Sequence, residues 1–530
     1  MSSNHLTSQI APETISTTQV SWWQNSLGWG AWAVVLLVAL GLRVHRLHDV
    51  TAWYDEAAAW KTIQFSWSEM WQSIQQNVHP PIYYVLLKLW AGMWGETPVS
   101  LRGFSVLCGV LTVSVIGQIV REIARSGIET RRATWISLFA ATLYAINPIA
   151  IEQAQQARMY TLGILFAALL GWGTLRVLMF PRCGRGWCLV IFAGNLLPLT
   201  HYYGLFTSLA AACLIAVRMA AVWNDSSIEF RNAVWAKFAI AIAITLPIWL
   251  YWGPVLWAQH SRVQADYWIP PFSWTEPVTY SAEWMSSPWI RDWGWLFSVQ
   301  LCAASLIGAV LLVRSQSPSR GALLAFAVGP PVLSTLYSLT SRNLLQGRYW
   351  SFAHLFFVLA VAIAVGQISA IWARRGVAAV LVGWSLFWVI QDRTHRDLIA
   401  FQSGLRGVGD VLRIVTLPHE TVLVASPFFH PSVQWSLGLP NRIYVPDSGA
   451  PYTHFQGGAI LRKREMLSVA ETLRGNARRM WVVVDDSLSH TLEDPAKLQL
   501  PREWQLVKTF KFFEGNRLPG SLEIREYVRP

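Results

Sequence analysis

Residues 53–90 read WYDEAAAWKTIQFSWSEMWQSIQQNVHPPIYYVLLKLW, and the reading of this stretch decides the fold. It lies between two apolar segments of membrane-spanning length. Near its start it sets two carboxylates side by side, Asp55 and Glu56, in a chain that is only 14% charged. Two short amphipathic pieces follow, 56–64 and 67–76, whose Trp60, Phe65, Trp67, Met70 and Trp71 suit the headgroup layer of a bilayer. They read as helices lying on a membrane. In His79-Pro80-Pro81 each proline biases the residue before it away from the α region, and an aromatic, apolar helix begins at Ile82. The expected result is a histidine fixed near the acids.

Outward from this stretch, the 530 residues are 53% hydrophobic and include 31 tryptophans. That composition points to a polytopic membrane protein with many helix ends at the water boundary. The formal charge of +12 does not indicate nucleic acid, because no basic, aromatic-interleaved patch occurs on a soluble surface. The five cysteines form no zinc pattern. The first thirty residues lack a basic stretch and a cleavage signature, so the first apolar segment reads as a retained anchor. Residues 1–27 read as a flexible tail and 28–392 as the membrane domain. About eleven helices are expected, near 28–46, 99–121, 133–150, 159–180, 187–200, 203–222, 235–256, 294–313, 321–339, 350–371 and 377–391. Residues 393–530 read as a soluble α/β domain, with strands at 421–425, 442–445, 480–485, 504–512 and 522–528 and a helix over 465–473. It carries no phosphate loop and no nucleophile elbow.

Every second loop is basic: Arg121, Arg125, Arg131 and Arg132; Arg182 and Arg185; Arg218, Arg231 and Lys237; Arg314 and Arg320; Arg374 and Arg375. These loops are expected on the cytoplasmic side, with the N-terminus. The opposite, extracytoplasmic face then holds the acidic stretch, Glu152, Gln156 and Tyr160 at spacings that align on one helix face, Arg158, the His201-Tyr202-Tyr203-Gly204 hairpin, Arg342, Arg348 and Tyr349, and the 393–530 domain. Arg43 and Arg46 violate the charge rule, and lipid-phosphate level is one place that would explain them. The convergent polar inventory beside a bilayer suits an anionic, lipid-linked substrate.

The chain resembles the integral-membrane GT-C glycosyltransferases (family 39), in the branch of protein O-mannosyltransferases and the aminoarabinose transferase of lipid A. The matching residues are Trp53-Tyr54-Asp55-Glu56-Ala57, His79-Pro80-Pro81-Ile82-Tyr83-Tyr84, Leu101-Arg102 with Gly109, and Gln155-Gln156-Ala157-Arg158-Met159-Tyr160. His201-Tyr202-Tyr203-Gly204 and Gly347-Arg348-Tyr349 match more weakly. The resemblance spans roughly 30–360 and implies a mainly α, polytopic bundle in a bacterial plasma membrane. It further implies transfer of a sugar from a polyprenyl-phosphate donor, among the membrane lipids, to a glycan, lipid or protein acceptor hydroxyl. Such a displacement needs a base at the nucleophile and positive charge at the leaving group. Asp55 is the expected base. Glu56 is expected to orient the acceptor or, with Asp55, to hold Mg²⁺ or Mn²⁺. Arg158 and Arg348 are expected on the phosphate, supported by His79 and Arg102, with Glu152, Gln156, Tyr160, His201, Tyr202, Arg342 and Tyr349 around the substrate. The competing class is a lipid or sugar transporter, which would show paired halves or helices interrupted at mid-membrane.

Overall fold

The computed structural model describes residues 26–287, 318–467, 478–485, 503–513 and 521–530, less internal gaps of one to four residues. The chain opens with α1 (Ser26–Val44), and the acidic stretch folds as α2 (Tyr54–Ile63), α3 (Trp67–Gln76) and α4 (Ile82–Trp94). Ser66 ends the gap before α3 and caps it, with Oγ accepting from the Glu69 amide while the Glu69 carboxylate accepts from the Ser66 amide. Helices α5 (Pro98–Ala124), α6 (Thr130–Ala145), α7 (Pro148–Ala154), α8 (Tyr160–Met179), α9 (Gly184–Leu196), α10 (Gly204–Asp225) and α11 (Ile228–Ala265) follow. After α12 (Thr275–Glu283) come α13 (Pro318–Thr340), α14 (Ser351–Gln367) and α15 (Ile371–Phe401).

Among the described residues, seven helices are long and apolar enough to cross a membrane, and the bent pair of α6 and α7 makes an eighth. This is an integral membrane protein. The expected spans at 28–46 and 187–200 are shorter helices, α1 and α9, and the expected span at 294–313 lies outside the described residues. At 1.5 Å per residue, α11 is about 57 Å long, well beyond a hydrocarbon core of about 30 Å. Its far end therefore leaves the bundle and meets α3, where Gln259 Nε2 donates to the Ile74 carbonyl at 2.7 Å and Arg262 to that of Gln75 at 2.5 Å.

The remainder forms a sheet domain from α16 (Gly404–Val415), β1 (Thr421–Val424), α17 (His430–Leu437), β2 (Ile443–Pro446), β3 (Met466–Leu467), β4 (Arg479–Asp485), β5 (Gln505–Phe513) and β6 (Ser521–Val528). The expected boundary at 392 falls inside α15. The strand order is β3-β2-β1-β4-β6-β5, parallel through β4 and antiparallel beyond it. Val422, Val424, Trp481, Val483, Leu522 and Ile524 fill the face covered by α16 and α17. The helix expected over 465–473 is corrected at its start: Lys463–Glu465 is a 3₁₀ turn leading straight into β3, and residues 468–477 lie outside the described set.

The sheet domain changes the reading of the amphipathic pieces. Trp60, Phe65 and Met70, expected in lipid headgroups, are buried. The Trp60 ring stacks on Trp435 and Phe65 lies under Arg462, so protein covers these two aromatic residues. Trp67 alone of the five remains half exposed.

Candidate active site

Asp55 and Glu56 occupy the first turn of α2, where the helix dipole favours negative charge, but they face different partners. Glu56 is 1% exposed. Its Oε1 accepts from Arg102 Nε at 2.8 Å and from the Ala157 amide at 2.7 Å. Its Oε2 accepts from Arg102 Nη2 at 2.7 Å and from the Trp53 amide at 3.4 Å. A carboxylate has about four acceptor positions, and all are used. The expectation that Glu56 orients an acceptor or holds a cation is therefore corrected: it ties α2 to α5 and to the turn before α8. Arg102, likewise 1% exposed, gives Nη1 to the Leu47 carbonyl at 2.7 Å, so it supports the site through Glu56 and not by touching a ligand.

Asp55 keeps an open side, with its side chain 21% exposed. Its Oδ2 lies 3.5 Å from Arg158 Nη2 and 3.7 Å from Arg348 Nη1. Arg158 Nη1 also donates to the Asp55 carbonyl at 3.0 Å, and Nη2 lies 3.4 Å from His79 Nε2. Burial alone would lower the Arg158 pKa, but Asp55 and the surrounding tyrosines raise it above the ordinary arginine value. The guanidinium stays charged. His201 is held the other way: burial, then the positive neighbourhood of His79, Arg158 and Arg348, pushes it well below the usual histidine value and keeps it neutral. Its Nδ1 accepts from the Tyr203 amide at 3.2 Å. The His201 ring sits 4.9 Å from Tyr349, 5.6 Å from Tyr160 and 6.1 Å from His79, measured between centroids. Side chains from four separated parts of the chain thus converge on Asp55.

Three expectations are corrected. Glu152, Gln156 and Tyr160 do not share one helix face, because the helix stops at Ala154 and restarts at Tyr160. Asn147 and Pro148 start α7, with Asn147 Oδ1 accepting from the Ala150 amide at 3.1 Å. Gln155 then turns its amide onto the carbonyls of Leu42 and Arg43 at the C-terminus of α1 and of His45 just beyond it, at 3.0–3.2 Å. Glu152 is half-buried on α7 and Gln156 lies in the break, while Tyr160 reaches the cluster. Tyr202 turns away to α11, donating to Gln259 and accepting from Trp252 Nε1 at 2.9 Å. Arg342 is exposed and lies over the Tyr267 ring at 5.6 Å, apart from Arg348.

Arg43, whose place on the acidic side breaks the charge rule, is fully buried. It donates to the Ala145 carbonyl at 2.9 Å and that of Tyr144 at 3.4 Å. It closes the C-terminus of α6, where unpaired carbonyls carry partial negative charge, and does not lie at lipid phosphate. Arg46 pairs with Asp49.

Two groups near the site had no role in the sequence reading. Tyr84 is buried within electrostatic reach of Asp55 and Arg158. Glu283 is a buried carboxylate whose Oε2 would stand 2.6 Å from a Cβ at position 347, so a side chain before Arg348 would displace it. An acid inside the otherwise uncharged run TYSAEWM was the available signal. The donor set does not fit a divalent cation: Glu56 is consumed, Asp55 faces two guanidiniums, and no three His, Cys, Asp or Glu side chains converge among the described residues.

No protein-family profile matches the chain, and no curated protein sequence matches it. Solved structures do. ArnT from Cupriavidus metallidurans in the apo state aligns with TM-score 0.63 at 12% identity, over 94% of this chain and 98% of ArnT. The crystal structure of the same protein bound to undecaprenyl phosphate gives TM-score 0.60 at 12% identity, over 94% and 97%. The chain has the GT-C fold of ArnT. The agreement runs through bundle and sheet domain alike, so the GT-C architecture extends beyond the 30–360 segment that carried the sequence resemblance.

Proposed function

We propose that this protein is a membrane glycosyltransferase that moves a sugar from a polyprenyl-phosphate donor to an acceptor hydroxyl on the extracytoplasmic face. The observation that carries this reading is one carboxylate with an open side, Asp55, set between two guanidiniums, Arg158 and Arg348, at 3.5 and 3.7 Å. That ArnT, of the same fold, has been crystallised bound to undecaprenyl phosphate supports the donor class.

In the proposed reaction the acceptor oxygen forms a bond to the anomeric carbon as the bond from that carbon to the phosphate oxygen breaks. Asp55 takes the hydroxyl proton, and the electron pair leaves with the lipid phosphate, inverting the configuration. Arg158 and Arg348 stabilise the departing phosphate. Forked guanidiniums suit its oxygens better than point charges would, and burial strengthens the attraction. His79 and neutral His201, with Tyr160 and Tyr349, line the donor. Glu56 and Arg102 hold Asp55 and the Arg158 segment in register.

The test is reconstitution in liposomes made with bacterial membrane extract, whose lipids and glycans supply acceptor hydroxyls, with labelled polyprenyl-phosphate pentoses and hexoses, scoring release of free polyprenyl phosphate and label on the acceptor. Wild type should release it, and Asp55→Asn should slow release about 10²–10⁴-fold. Movement of intact donor across the bilayer without release would replace the transferase with a flippase. Near-normal release by Asp55→Asn would remove the base.

A further inference from the structure

Helix α2 has ten residues, too few to hold its own shape in water, so its place is set by what it touches. Its first turn is tied to the bundle through Glu56. Its last turn carries Lys61, which is 4% exposed and belongs to none of the machinery described above. Lys61 Nζ donates to Glu465 and, at 2.7 Å, to Gln434 Oε1; Gln434 Nε2 donates in turn to Glu465 Oε1 at 3.2 Å. Both partners belong to the sheet domain, about four hundred residues along the chain. Burial pushes the Glu465 carboxyl up, but Lys61 more than offsets this and holds it below the ordinary range, so the pair is ionic.

Aromatic contacts continue the same seam. Tyr54, the residue before Asp55, stacks on Phe428 with ring centroids 3.6 Å apart and 16° between planes. Trp60 stacks on Trp435 at 5.6 Å and 6°. On α3, Ser73 Oγ donates to the Ala459 carbonyl at 2.7 Å and Glu69 pairs with Arg462 at 3.2 Å. A buried ion pair is seldom the cheapest way to stabilise an interface, since apolar residues of equal volume often do as well. What it supplies is a single register, because a slip of α2 by one turn would strand a charge on each side.

We infer that the sheet domain is a second positioning element for Asp55, beside the Glu56–Arg102 pair: Lys61, Gln434 and Glu465 fix the far end of α2, and Phe428 packs on its start, so that the carboxylate meets Arg158 and Arg348. Lys61 and Glu465 are positioning residues that touch no substrate. This rests on the transferase reading above, and a displacement of about 1 Å at a reacting group costs on the order of 10²-fold in rate.

The test uses the full chain in nanodiscs, the labelled donor that wild type turns over, and amide hydrogen exchange across residues 53–63. Glu465→Gln, which leaves Lys61 buried without its counter-charge, should lower kcat about 10- to 100-fold while the donor KM stays within about threefold, and should speed exchange over 53–63. The double variant Lys61→Met with Glu465→Gln removes both charges and should return kcat to within about threefold of wild type. If the double variant stays slow, Glu465 does not act through Lys61 and the inference falls. Where Glu465→Gln does not fold, Phe428→Ala, which leaves the ion pair intact, must show the same split between kcat and KM. Wild-type kcat in Glu465→Gln or in Phe428→Ala, or slow turnover with unchanged exchange, overturns the inference. An active Asp55→Asn would instead sink the transferase reading, so the two failures are distinguishable.

Discussion

At the scale of single residues, the buried pair of Glu56 and Arg102 is the constraint on which the site depends. Each is 1% exposed, and each would be an uncompensated charge without the other. Arg102→Met should therefore destabilise the protein by about 3–5 kcal/mol, and Glu56→Gln added to it should recover most of that loss. Thermal unfolding of both variants, followed by tryptophan fluorescence, checks it. His430 makes a second prediction. Burial holds it at about 4 against an unfolded value of 6.5, with Nε2 donating to the Ile443 carbonyl at 2.9 Å. Above pH 6.5 it is neutral in both states and has no pH effect. As pH falls from 6.5 towards 4, the unfolded chain takes up the proton before the folded one does, so stability should drop across that window and then level off. His430→Gln should lose that part of the slope between pH 7 and 4. The sequence displayed Asp55 and Glu56 as equals. Nothing in DE says which acid will find Arg102, because the partner lies 46 positions away. Arg43 was visible only as an exception to a charge rule, and its reason, the open carbonyls of α6, exists only after the helices meet.

Among helices, the broken passage from α6 through α7 to α8 brings Arg158 to Asp55. The axis bends by 60° between α6 and α7, and the Ala157 amide, freed by the break before α8, is taken by Glu56. A continuous amphipathic helix was the natural reading of the spacing from Glu152 to Tyr160, since Gln and Ala favour helix and no glycine marks the stop. The Asn147-Pro148 start was legible because capping chemistry is local. The stop was not, because Gln155 ends it by reaching the carbonyls of α1. Beyond the break, α8 packs on α14 through glycines. A Cβ on Gly163 would stand 2.5 Å from the Phe352 ring, and one on Gly171 2.4 Å from that of Phe356. Small residues let membrane helices approach in this way. Gly171→Ala should push the helices apart and cost about 1–3 kcal/mol, read as a lower unfolding midpoint. Gly184→Ala, with no atom within 4 Å of its Cβ, is the matched control.

For the whole molecule, what matters is that the basic loops and the Asp55 cluster stand at opposite ends of the same helices. Helix α6 begins beside Arg374, which lies over the Trp135 ring at 5.4 Å, and ends at the carbonyls held by Arg43, about 24 Å away by helical rise. Alternation of charge along the chain was enough to foresee this separation, because it reflects an insertion rule that acts on segments one after another. The same alternation put residues 393–530 on the side of the acidic stretch, but the particular contacts of the sheet domain with α2 were not foreseeable, since they join residues hundreds of positions apart. The orientation itself is open to a direct measurement. Cys183 lies in the basic turn after α8, half-buried. Burial raises its thiol, but the amides of Gly186 and Arg185 and the Arg176 guanidinium outweigh that and leave it below the ordinary cysteine value, hence reactive. With the basic end cytoplasmic, a membrane-impermeant maleimide should leave Cys183 unlabelled in intact cells and label it once the membrane is opened. Ser68→Cys, placed on the exposed face of α3, should react in intact cells from outside. Labelling in the reverse order would put Asp55 on the cytoplasmic side, where a base and two guanidiniums would face the opposite leaflet and the proposed donor orientation would have to be inverted.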